Sequence, residues 1–153
     1  MMKKISFILL LLAWGSFSAE AKIKVVDGDS IFIGETEIRL QGIDAPEYYQ
    51  NCYDANKREY RCGDRAYKAL LSLVNEDVYC KKVSEDYYKR TVAICYSAEK
   101  DINREMVRQG WAVAYDQYAD IYVEEEKYAK KNKKGIWQGK FMRPEFYRAL
   151  EKE

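Results

Sequence analysis

The chain has 153 residues, 48% of them hydrophobic, with 26 basic and 25 acidic side chains and no histidine. That length suits one domain with a real core, and the lack of His excludes Ser-His-Asp hydrolases, His-based acid–base catalysis and His-ligated zinc, leaving carboxylates, Lys, Tyr, Arg or a hard metal ion for any hydrolytic chemistry. The near-zero net charge excludes a global pull toward polyanions, so any anion binding has to be local.

The N-terminus has the three parts of a secretory signal peptide. Lys3 and Lys4 precede an apolar stretch from Ile5 to Trp14, and Ala19-Glu20-Ala21 follows as a cleavage signature. The apolar run is shorter than the roughly 20 residues that span a bilayer. Residues 1–21 are therefore expected to be removed, leaving an exported domain over 22–153, periplasmic or secreted, with no stable membrane association. Losing Lys3, Lys4 and Glu20 leaves 24 basic and 24 acidic side chains.

The elements then run in order. Lys22 to Val26 alternates and reads as a strand, Asp27-Gly28-Asp29-Ser30 as a turn, Ile31 to Ile33 as a second strand, and Glu37 to Gly42 as a third. Asp44-Ala45-Pro46-Glu47 ends this meander, because Pro cannot donate to a ladder. Tyr48 to Cys62 reads as a polar loop. Asp64 is expected to cap a helix reaching about Asn75. Asp77 to Val83 and Thr91 to Tyr96 form a hairpin around Ser84 to Arg90. Asp101 caps a second helix that Gly110 stops. A third helix spans Tyr122 to Lys133, supported by the Glu126–Lys130 pair and ended by Gly135. Pro144 opens a short final helix. The Lys127 to Lys134 cluster reads as a solvated helix face, with tracking of a nucleic-acid backbone as the other reading.

Four cysteines in an exported chain indicate two disulfides. Of the three connectivities, Cys52–Cys62 and Cys80–Cys95 are favoured. The first closes a short polar loop. The second joins two strand positions equidistant from the Tyr87-Tyr88 turn, which an antiparallel hairpin sets side by side. Five short strands with inserted helices fit an α+β fold: a small, closed or partly closed, five-stranded Greek-key barrel of the OB type with about three helices.

The candidate chemistry clusters in three places. Asp29 follows a Gly turn and Asp44 follows the third strand; a meander brings both to the same end of the sheet, where two carboxylates suit a hard cation. Turn formation alone also accounts for both aspartates. Arg39 lies on the strand face opposite Ile38 and Leu40, directed toward the Asp44 end, though an edge-protecting cation has the same pattern. Arg90 sits where the hairpin returns, a place equally suited to a solvated turn cation. Glu47 follows the stiff Pro46.

These residues lie in blocks that resemble the thermonuclease (staphylococcal-nuclease-like) family: Asp27-Gly28-Asp29-Ser30, then Arg39-Leu40-Gln41-Gly42-Ile43-Asp44-Ala45-Pro46-Glu47, then Tyr88-Lys89-Arg90. Asn103 to Ala112 resembles the family's second-helix segment, and Gly135-Ile136-Trp137 its closing motif. The resemblance implies an OB-fold enzyme that hydrolyses DNA and RNA with Ca²⁺. By it, Asp29, Asp44 and the Ala45 carbonyl hold the metal, Glu47 orients or deprotonates water, Arg39 and Arg90 clamp phosphate, and Tyr88 and Tyr115 contact the nucleotide. A monomer with single-stranded substrates preferred is the expectation. Ser30 keeps the hydroxyl of the family's usual Thr, whereas Tyr87 replaces a Lys beside the nucleotide phosphate. The alternative is a non-catalytic OB-type module binding nucleic acid or protein.

Overall fold

The structure, a computed structural model, describes residues 22–115 and 120–151; the expected signal peptide lies outside them. The expected meander is present as β1 (Ile23–Val25), β2 (Ser30–Ile33) and β3 (Thr36–Leu40), all antiparallel. Alternation does the sorting: Ile38 and Leu40 face inward and are buried, while Arg39 projects from the other face. The hairpin strands are β7 (Tyr79–Glu85) and β8 (Thr91–Ser97), with Cys80 opposite Cys95 and bonded to it. A parallel pairing of β3 with β8 sets Ile38 beside Thr91, which brings Arg90 alongside Glu37.

The sheet runs β1-β2-β3-β8-β7, with the two-residue β9 (Lys100–Asp101) paired to β8. The five-strand path matches the expected count. Of the two expected forms, closed or partly closed, the partly closed one is found: among the described residues β1 and β7 end the path without pairing to each other, so the barrel is open at that seam. Short strands close one end of the structure, where β4 (Ile43–Asp44) pairs with β10 (Val113–Ala114).

The segment expected as a loop over Tyr48 to Cys62 contains a small hairpin, β5 (Asn51–Tyr53) with β6 (Glu59–Arg61). The Cys52–Cys62 bond, also as expected, fastens it. Helix α1 (Cys62–Leu73) therefore begins where β6 ends, with Arg61 rather than Asp64 at its N-cap. Asp64 sits instead in the first turn, where it accepts from Lys68 at 2.7 Å, and that ammonium holds its carboxyl below the usual range.

Asp101 does cap α2 (Ile102–Arg108), accepting from the Arg104 N–H. Gly110 follows in a left-handed conformation and packs so closely on the Lys134 carbonyl that a side chain there would clash. α3 (Val123–Lys131) carries the expected Lys130–Glu126 pair at 2.6 Å and leads to a single 3₁₀ turn, Gly135–Gln138. α4 (Pro144–Leu150) starts at Pro144 as expected and is the fourth α-helix among the described residues, as the chain-order reading has it and one more than the rounded count of about three. The main core lies between the sheet and α1 and α2, built from Ile31, Leu40, Leu70, Ile102 and Met106 with Tyr122. Cys52, Cys62, Val113 and Ile136 form a second, smaller core under the β5–β6 hairpin. No helix of the described residues is long and apolar enough to cross a membrane.

Candidate active site

The β2–β3 register sets Ser30 against Arg39, so the turn that carries Asp29 lies beside the outward face of β3. Asp29 is buried. Its Oδ2 accepts the Ala45 N–H at 2.7 Å, and its Oδ1 is paired to Arg39 and accepts from the Ser30 hydroxyl. Asp44 is fully buried at the end of β4, and Arg39 Nη2 donates to its Oδ1 at 3.0 Å. One guanidinium thus spans both aspartates. A second, which the sequence did not suggest, comes from α4: Arg148 donates through Nη1 to Asp44 Oδ1 and Glu47 Oε1, each at 2.9 Å, and through Nη2 to Asp44 Oδ2 at 3.1 Å. Burial alone would lower the Arg148 pKa, but Asp44 and Glu47 more than offset it, so the group stays charged.

Glu47 is held through its backbone. Its N–H donates to the Gln50 side chain at 3.2 Å, and its carbonyl accepts the Gln50 N–H at 2.7 Å. The buried Gln50 amide donates on to the Met142 carbonyl, tying this loop to the approach of α4. Across the cleft, Asp86 Oδ2 accepts from Arg90 Nε at 2.8 Å, and Asp86 Oδ1 accepts the Arg90 N–H at 2.9 Å. Burial would push the Asp86 carboxyl up, but these bonds and the Arg90 charge outweigh it and hold it below the usual carboxylate range. Arg90 also lies over the Tyr88 ring, 5.7 Å from its centre. Behind the site, the buried Asn103 accepts the Cys95 N–H and donates to the Gln41 and Ala93 carbonyls, locking α2 to the strands that carry the arginines.

The site opens onto one cleft of about 750 Å³. Asp29, Arg39, Glu47, Arg90, Tyr88 and Tyr115 line it, and Asp44 forms part of its wall through its bonds to Arg39 and Arg148. Tyr115 contributes from the end of β10, where its N–H donates to the Gly42 carbonyl. The convergence expected from the sequence is therefore present. Further residues without an assignment from the sequence are Asp27, Gln50, Asp86 and Arg148. Asp27 accepts the Asp29 N–H, and burial pushes its carboxyl up against the downward pull of Arg39 and Arg90.

Five carboxylates and three guanidinium groups line the cleft, so it carries excess negative charge. Two buried aspartates with hard oxygen donors in an acidic cleft suit a cation such as Ca²⁺, the remaining ligands coming from backbone carbonyls and water. Yet among the described residues no three acidic side chains form a ready-made cage; arginines span the aspartates instead. The residues fit a cation by chemistry, provided the guanidinium groups yield their places.

The profile of a family described as "Staphylococcal nuclease homologue" matches residues 37–139, more than half of the chain. This chain belongs to the staphylococcal nuclease family. It is 32% identical over 150 residues to an uncharacterized endonuclease of Haemophilus influenzae, a match covering 88% of this chain and 79% of that protein. It is 36% identical over 118 residues to the succinoglycan biosynthesis protein ExoI of Rhizobium meliloti, covering 74% of this chain and 62% of that one. It is also 32% identical over 134 residues to endonuclease YhcR of Bacillus subtilis, covering 74% of this chain but 11% of that larger protein. The OB-type family fold agrees with the five-strand path above. Asp29 and α4 both lie outside the residues matched by the profile.

Proposed function

We propose that this nuclease-family chain is an exported, Ca²⁺-dependent phosphodiesterase that cuts DNA and RNA, preferring single strands. The observation that carries the reading is the meeting of Asp29, Arg39, Glu47 and Arg90 in one acidic cleft, with Asp44 between two arginines at its wall. Relatives that bear the name endonuclease support the reaction class. Two disulfides suit an oxidising compartment and so support export.

A phosphodiester is anionic, and a cleft with excess carboxylates repels it. Asp29, Asp44 and the Ala45 carbonyl would hold a Ca²⁺, which would offset that repulsion, act as a Lewis acid and make water more acidic. Glu47, half-buried and fixed by Gln50, is a carboxylate able to take a proton from the attacking water. Arg90, braced by Asp86 and open to the cleft, grips the phosphate, and Arg39 does so from the floor. Planar guanidinium forks match phosphate oxygens in pairs and gain most as charge grows in the transition state. Tyr88, 71% exposed, is free to stack on a base, and Tyr115 lines the same cleft for the nucleotide.

The test is digestion of labelled single- and double-stranded DNA and RNA by the purified protein, in Ca²⁺ or chelator. Cleavage that stops in chelator is expected. A protein that binds oligonucleotide equally in both conditions and never cuts it is a binding module instead, and the proposal falls.

A further inference from the structure

Arg148 stands where the chemistry proposed above has no use for it. It covers both oxygens of Asp44 and one oxygen of Glu47, and Asp44 has no exposure through which a cation could approach without disturbing it. The element that carries it is weakly anchored. α4 has seven residues, Pro144 is its buried one, and Phe146 and Leu150 are exposed at 59% and 58%. The segment before it is tied by polar contacts: Lys140 to the Tyr53 backbone, Gln50 to the Met142 carbonyl, and Arg143 to the Ala114 carbonyl and Glu126. An element with so little buried apolar surface opens locally at small cost.

We infer that Arg148 is a built-in counter-ion that competes with the divalent cation for Asp44 and Glu47, so that α4 works as a latch on the site. This rests on the reading of Asp44 as a cation ligand. With the latch seated, Arg148 neutralises the buried aspartate and holds the Glu47 carboxylate in an ion pair. When a cation takes Asp44, like charges oppose each other, Arg148 is released, and Glu47 is freed to accept a proton. A cation then binds with its intrinsic affinity reduced by the fraction of molecules that are latched. The two ligands are linked: whatever favours the seated arginine weakens the cation by the same factor.

The experiment is calorimetric titration of CaCl₂ into the full chain and into Arg148→Gln and Arg148→Lys, without substrate, beside melting curves in chelator and in Ca²⁺. Arg148→Gln is expected to bind Ca²⁺ about tenfold more tightly, to melt lower than wild type in chelator, and to gain more from Ca²⁺. Arg148→Lys keeps a charge without the planar fork and is expected to fall between them; it also serves if the Gln variant does not fold. Equal or weaker Ca²⁺ binding in both variants, with wild-type binding intact, overturns the latch and leaves the proposed function standing. No Ca²⁺ binding by any of the three chains removes both.

Discussion

Asp44 is gripped by two arginines that come from opposite kinds of structure. Arg39 rises from the middle of β3, between two buried neighbours, Ile38 and Leu40, and on a strand paired on both sides. Arg148 reaches in from a short helix at the edge of the fold with one buried residue. On the latch proposed above, the same ionic contact is firmly backed in one case and detachable in the other. The difference lies in what the backbone behind each guanidinium has to give up to move.

The largest expected effect is at Glu47, which the helix-borne arginine holds and the strand-borne one does not touch. Glu47→Gln should lower kcat by ~10²–10⁴ while oligonucleotide affinity stays close to wild type; full turnover in this variant would remove Glu47 from the chemistry. Next, Arg39→Ala leaves buried Asp29 short of its partner and should cost about 3–5 kcal/mol in chelator, whereas Arg148→Ala, on a side chain 35% exposed, should cost about 1–2 kcal/mol because Asp44 keeps Arg39. Denaturant melts of the two variants read this directly, and equal losses would break the comparison. Replacing Cys52 and Cys62 together by Ser should cost about 2–4 kcal/mol and lower nuclease activity, because the bond fastens the hairpin that follows Glu47. The smallest effect concerns Asp86→Asn. A carboxyl held below its unfolded value adds stability above that value and loses it as pH falls through the folded one. The variant should therefore melt below wild type at neutral pH; the gap should begin to narrow as pH falls past about 4 and close only below the depressed folded value. A gap that persists at lower pH would show that Asp86 acts through packing, not charge.

Much of the site was legible because its residues sit in short, local patterns. Cys80 and Cys95 could be paired because equal distances from a turn become cross-strand partners in a hairpin. Asp101 could be read as a cap because its bond is to an N–H three residues on. What escaped notice depends on distant partners. Arg148 meets Asp44 across 104 residues, and nothing around it in the chain marks it. Gln50 reaches Met142 across 92 residues. The β5–β6 hairpin looked like a loop because its strands are polar and its fold depends on a disulfide and on Lys140, whose backbone pairs with Tyr53. The helix start at Cys62 followed from that hairpin, and a good capping residue at Asp64 lost to it. The open seam between β1 and β7 is likewise a matter of how far apart two strand ends lie, which alternation does not encode.

Gly63 is pressed so tightly onto the Glu47 carbonyl that no side chain could stand there. Its neighbour Cys62 is covalently joined to Cys52. While those sulfurs remain thiols, as they do in cytosol, the floor under Glu47 lacks its fastener. On the proposed export, the chain would pass the cell's own nucleic acid with that fastener unmade, and oxidation outside would complete it.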